Sequence, residues 1–352
     1  MMQNFIRYWL YIVVFLCLMI VMLGGATRLT GSGLSITQWQ PIHGVIPPLN
    51  KEQWLDEFAK YKQISQYQEI NSTINVDGFK SLYWWEWSHR LLARIIGLVA
   101  LLPFILSLFN ALFAKNRNMS FLKRWIETPY VSYFLLVPLM IGLQGVIGWW
   151  MVYSGLAGSK LTSVSQYRLA THMISASIII MFTTYWSRNF IHYSSKEAPR
   201  NIQLLAATLS IAVLAQIYFG ALVAGLHAGL SYNTWPLIDN KIIPNNLFIM
   251  KPWWHNFFEN VLTVQFVHRC FAYIVFLLSL VNVIYSYLLC KDSAHAKRSL
   301  ILFIMICLQI LFGVITLLCR VPIWLGVLHQ FFALLIMVFA VMHWRGTKSN
   351  IS

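Results

Sequence analysis

Charge is what this chain has least of. Only 11% of its 352 residues are Asp, Glu, Lys or Arg, where a soluble protein carries about 25%. Acidic residues are the scarcer kind, 11 against 26 Lys and Arg, for a formal net charge of +15. The basic residues form no cluster on a soluble face, so the excess points to the loops of a membrane protein and not to a nucleic-acid partner. Cysteine is sparse too. Cys17, Cys270, Cys290, Cys307 and Cys319 make no CxxC and lie in or beside apolar runs, none in a long loop, which argues against a disulfide framework or a zinc site. No Arg-rich, Ser-rich transit peptide precedes the first apolar run, and no small-residue cleavage site comes before Gly24-Gly25-Ala26. A retained span is expected, and a bacterial inner membrane.

What the chain has instead is hydrophobic length: 58% apolar residues and a mean hydropathy of +0.63. Runs near the roughly 20 residues that cross a bilayer occur at Tyr8–Ala26, Leu91–Phe113, Tyr130–Val152, Leu169–Ser187, Gln203–Leu226, Val261–Leu288, Leu300–Cys319 and Ile323–His343. This predicts an all-α polytopic membrane protein with eight transmembrane helices. The short, densely basic stretches Lys115–Arg124, Arg188–Arg200, Lys291–Arg298 and Arg345–Lys348 fall on one side with Arg7, so both termini are expected in the cytoplasm.

The motif Trp84-Trp85-Glu86-Trp87-Ser88-His89-Arg90 stands at the mouth of the second run, with Glu86 and His89 spaced to share a helix face; it is expected within the helix's first turn. Ionisable groups in a membrane segment usually face a cavity or cofactor. In the long outer loop 27–87, Asn50 and Gln53 resemble a capping pair opening a short helix through Trp54, Phe58 and Tyr61. That aromatic face is expected to lie on the membrane surface or over the exposed edge of a cofactor.

The sequence then repeats itself. Gly33-Leu34-Ser35 with Trp39 matches Gly229-Leu230-Ser231 with Trp235, His89-Arg90 matches His268-Arg269, Leu143-Gln144 matches Leu308-Gln309, and His172 matches His329. The order is the same in two four-span halves, residues 1–200 and 201–352. An even number of spans gives both halves one orientation, as two four-helix bundles about a pseudo-twofold axis along the membrane normal. His89, His172, His268 and His329 then all lie toward the outer leaflet, two per half on different helices. That suits bis-imidazole ligation of a haem in each half. Arg90 and Arg269, beside the matched histidines, could pair with haem propionates, and Arg168 is a further candidate. His43, His192, His227, His255, His295 and His343 have no repeat partner and read as interfacial or loop residues. The halves differ at one telling place, with Glu86 in the first where the second has Gln265. The carboxylate suggests proton chemistry in one pocket only. Two other classes stay open: a dihaem cytochrome b that only transfers electrons, and a transporter built from parallel repeats.

With these residues in hand the sequence resembles the haem A synthase family of alphaproteobacteria and mitochondria over nearly its whole length. The resemblance is carried by Gly25–Ser35, Trp84–Arg90, Tyr167-Arg168-Leu169-Ala170-Thr171-His172, Gly220–Leu226, Tyr232-Asn233-Thr234-Trp235-Pro236, Gln265-Phe266-Val267-His268-Arg269 and Leu328-His329-Gln330. It implies an enzyme that oxidises a methyl group of haem O to a formyl group by successive hydroxylations. It also implies His268 and His329 as ligands of a resident haem b, with Arg269 beside them, and His89 and His172 as the iron-binding residues of the substrate-haem site. Glu86 resembles the family's essential carboxylate. A haem O synthase and an electron-transfer protein are the implied partners, a homo-oligomer is left open, and the cysteine pair that some bacterial members carry in outer loops is missing here.

Overall fold

In the computed structural model, which describes residues 2–114, 119–156, 158–191, 196–291 and 293–348, eight helices are long and apolar enough to cross a membrane. They are α1 (Met2–Leu29), α2 (Val76–Phe113), α3 (Val131–Tyr153), α4 (Gln166–Arg188), α5 (Arg200–Gly225), α6 (Val261–Leu289), α7 (Ala294–Leu318) and α8 (Ile323–Gly346). The chain is a nearly all-helical, multi-pass membrane protein, and the described residues hold no strand beyond one isolated bridge, Ile238 with Lys241. Parts of the basic stretches 115–124, 188–200 and 291–298, and His192, lie outside the described residues.

Helix contacts close into two circuits. In the first, α1 packs on α2 and α4, and α3 on the same two; in the second, α5 packs on α6 and α8, and α7 on the same two. The circuits meet where α4 lies against α5 and where α1 and α4 lie against α8. Close backbone approach at this seam depends on missing side chains. A Cβ on Gly326 would stand 2.8 Å from Cδ1 of Leu29, and one on Gly225 would stand 2.5 Å from Cβ of Gln166. Gln330 of α8 crosses the seam and donates to the Val21 carbonyl of α1 at 2.8 Å. The repetition of one contact circuit in both halves is what two pseudo-twofold-related bundles would give.

Two expectations about the outer loop are corrected. Helix α2 begins at Val76, well before the apolar run, because Asn75 caps it by accepting from Gly78 N–H at 2.9 Å and Asp77 complements the helix dipole in the first turn. Its 38 residues make a rod about 57 Å long, nearly twice the hydrocarbon thickness of about 30 Å. The Trp84–Arg90 motif therefore sits in the middle of a helix that projects out of the bilayer, and not in its first turn. The capping pair does open a short helix, Lys51–Tyr61: Asn50 accepts from Gln53 N–H at 2.9 Å. Its aromatic face packs on protein. Phe58 and Tyr61 are buried against Phe79, and Trp54 lies edge-on to Tyr83 with centroids 5.0 Å apart. The projecting end of α2 supplies apolar surface that the sequence reading gave to the membrane. Leu34 and Ile64 are buried in the same cluster, which anchors the segment 32–36 above the first half.

Candidate functional site

His172, His268 and His329 lie about two turns into α4, α6 and α8, and His89 lies about a third of the way along α2. All four are half-buried. His89 is within electrostatic reach of His172, and His268 of His329, so the structure pairs them within halves as the repeat predicts. Each ring rests on a glycine of the neighbouring helix. A Cβ would stand 2.9 Å from Cε1 of His172 if built on Gly148, 3.2 Å from Cε1 of His268 on Gly220, 2.9 Å from Cε1 of His329 on Gly313, and 3.1 Å from Nε2 of His89 on Gly24. At these distances a real side chain would push against the ring, so the glycines make room for imidazoles that turn an edge toward the neighbouring helix backbone.

One helical turn before three of these glycines stands a glutamine. Nε2 of Gln144 donates to the His172 carbonyl at 2.9 Å, that of Gln216 to the His268 carbonyl at 3.1 Å, and that of Gln309 to the His329 carbonyl at 2.9 Å. Gln144 and Gln309 were recognised in the sequence only as repeat markers, and Gln216 was missed. The signal was available as a Gln-x-x-x-Gly spacing repeated in α3, α5 and α7. The matching place in α1 holds Ile20 before Gly24, so His89 alone has no such amide. It also turns its opposite ring edge, Nε2 and Cδ2, toward its glycine.

Glu86 is buried and fully engaged. Its Oε2 accepts from Ser35 Oγ and from Ile36 N–H, each at 2.8 Å, while Oε1 accepts from Arg90 Nη2 at 2.6 Å and Nε at 3.1 Å. Arg90 Nη2 also donates to the Ile36 carbonyl at 2.7 Å. Gln265 does the same job in the second half with the opposite polarity. Its Nε2 donates to the Ala228 and Tyr232 carbonyls at 2.9 and 3.0 Å, and its Oε1 accepts from Arg269 at 3.0 Å. Arg269 further donates to the Thr234 carbonyl at 2.8 Å. Both arginines thus hold the glycine-containing outer segments through backbone carbonyls. Arg168 donates to the Trp150 carbonyl at 2.7 Å and stacks on that indole, tying α4 to the end of α3.

Among the histidines without a repeat partner, two depart from the interfacial reading. His295 and His343 are buried at the ends of α7 and α8 remote from the four paired rings. There His295 Nε2 meets the Lys196 carbonyl at 2.8 Å and His343 Nε2 meets Asn282 Nδ2 at 3.0 Å. Half-buried His255 faces Glu259 at 3.9 Å.

The residues present fit a haem in each half. Paired imidazoles rest on glycine cradles, and among the described residues no cluster of three His, Cys, Asp or Glu is poised for a bare metal ion. In the second half the buried Nδ1 of His329 and the amide oxygens of Gln216 and Gln309 have no partner. Gln216 lies against the His268 ring, its Nε2 3.2 Å from Nδ1, where a side-chain amide orients an imidazole that is to bind iron.

Comparison with known proteins gives this eight-helix membrane scaffold a family. Residues 7–341 match the COX15-CtaA family of cytochrome oxidase assembly proteins, and the chain belongs to that family. It is 53% identical over 343 residues to the heme A synthase of Bartonella bacilliformis, covering 97% of this chain and 92% of that protein. It is 52% identical over 347 residues to the heme A synthase of Brucella anthropi, covering 98% and 93%.

Proposed function

We propose that this chain is a haem A synthase, an enzyme that oxidises a methyl group of haem O to a formyl group. The observation that carries this reading is identity above 50% along nearly the whole length of relatives so named. The four paired histidines on glycine cradles support it from the chain's own geometry. Residues 1–200 take the substrate, with His89 and His172 facing its iron. Residues 201–352 hold a resident haem b through His268 and His329, which relays electrons from an external electron-transfer protein. Haem O comes from a haem O synthase. The enzyme sits in a bacterial inner membrane with both termini in the cytoplasm.

When bound, haem iron supplies the redox chemistry, and the protein supplies placement and electrostatics. The rings of His89 and His172 set where the porphyrin lies, and their glycines fix how near it comes to α1 and α3. Glu86 and Arg90 hold the segment 32–36 closed above the first half. While that cage is intact, each carboxylate oxygen already accepts two hydrogen bonds. Glu86 is therefore a positioning residue in the resting site. It is also the carboxylate nearest the paired histidines of that half in sequence, and would accept or relay a proton as the methyl carbon is oxidised. Arg269 and Gln265 close the second half without a titratable carboxylate, as suits a site that keeps its haem.

The test is extraction and mass analysis of the pigments bound to purified wild type and Glu86→Ala. A synthase carries haem b together with haem O or its hydroxylated forms, and the variant keeps haem b without forming haem A. Two haem b groups would indicate an electron-transfer cytochrome, and no haem at all would remove the proposal.

A further inference from the structure

Most arginines near the paired histidines are already engaged. Arg90 and Arg269 hold the outer segments and Arg168 holds the end of α3, while Arg94 donates to the Pro41 and Gln40 carbonyls, each at 2.9 Å. Arg28, in the last turn of α1, is different. It is half-buried, and among the described residues it makes no hydrogen bond, ion pair or ring contact. A guanidinium withdrawn from water without a partner is costly, and an anion set against it offsets that cost.

The face of α1 that Arg28 occupies shows where such an anion would lie. Gly24, one turn earlier, is the residue on which the His89 ring rests, and helix residues four apart share a face. Gly25 and Leu29, the next positions round the helix, meet Gln330 and Gly326 of α8. Arg28 therefore stands between the first-half ring and the seam, about 6 Å outward of Gly24 along the axis. His227, in the turn after α5, is within reach of its charge. Side chains lean toward the N-terminus of their helix, which here carries the guanidinium back toward the level of His89. The second half has no such cation. Gly24 and Gly33 match Gly220 and Gly229 in one register, so the place of Arg28 falls to Ala224.

We propose that Arg28 binds a carboxylate of the porphyrin taken into the first half, a propionate of haem O. This rests on the first half being the substrate site, and it names the group by which that site reads its substrate. A guanidinium can grip a carboxylate through two parallel N–H donors. His89 then fixes the centre of the macrocycle and Arg28 its outward edge, and two fixed points set its rotation. The role expected of Arg90 passes to Arg28, because Arg90 is taken up by Glu86 and the Ile36 carbonyl.

The test follows the uptake of ferric haem O and of its dimethyl ester by the change in Soret absorption. It uses the purified full-length protein from a host that makes no haem O. Wild type is expected to bind the free acid about 10–100-fold more tightly than the ester, the range one charge-assisted contact supplies. Arg28→Gln should lose that preference by weakening binding of the acid alone, and Arg28→Lys should keep most of it. Haem b content should be the same in all three. Equal binding of acid and ester by wild type overturns the proposal without recourse to a variant. So does a full preference retained in Arg28→Gln, or an equal fall for both forms, which would mark a residue serving the fold or an anionic lipid. Wild type that takes up neither form while holding haem b removes the substrate-site reading itself, and the proposal with it.

Discussion

The first half closes its outer segment with a carboxylate and the second with an amide. What is being held explains the exchange. Segment 32–36 offers donors, the Ser35 hydroxyl and the Ile36 N–H, whereas segment 228–232 offers the carbonyls of Ala228 and Tyr232. A carboxylate only accepts and an amide can donate, so each half has the side chain that its own loop requires. An unmatched acid in a duplicated membrane protein is thus a weaker sign of proton chemistry than it looks. The stronger sign of difference between halves lies beside the histidines, at Ile20, where the other three cradles have a glutamine.

The comparison breaks most visibly at the rings. His268→Ala or His329→Ala should release the second-half haem b, seen as a fall in the haem-to-protein ratio of the purified protein, while His89→Ala leaves that haem in place. Next in size is the Glu86 cage. Arg90→Ala leaves a buried carboxylate without its cation and should cost about 3–5 kcal/mol, measured by denaturation in detergent. Gln265→Glu should cost less, about 1–3 kcal/mol, because it removes the donors to two carbonyls but gives Arg269 a stronger partner. If Gln265→Glu instead proved neutral, loop polarity would not explain the Glu/Gln difference.

The smallest effect lies where the halves meet. His227, exposed in the turn after α5, has its pKa lowered by partial desolvation of the ring and by the nearby positive charge of Arg28. A histidine held below its ordinary value gives stability that is complete above about pH 6.5 and declines as pH falls toward the folded-state value, where the unfolded chain binds the extra proton. His227→Gln should flatten the slope of melting temperature against pH below that point. An unchanged slope would place the titrating group elsewhere.

Much of the fold was legible because lipid permits so few solutions. Apolar runs of spanning length must be helices; all eight end within three residues of the expected place, and seven of them begin within six. The exception is α2, where polar residues after Asn75 continue a helix that hydropathy cannot see once it leaves the bilayer. The pairing of His89 with His172 and of His268 with His329 was legible through the repeat. The partners of Glu86 and Arg90 were not, since Ser35 and Ile36 are some fifty positions away and nothing local marks them.

The sequence alone determined eight spans, their duplication, the four histidines and the family, because each is written in composition, spacing or motif and needs no knowledge of what touches what. Only the tertiary structure decided that the outer aromatic helix packs on α2, that Glu86 is caged, and that Gln144, Gln216 and Gln309 each hold the carbonyl of a paired histidine. Those outcomes turn on which donor meets which acceptor across helices, and hydrogen bonding at that range follows the packing of the whole bundle.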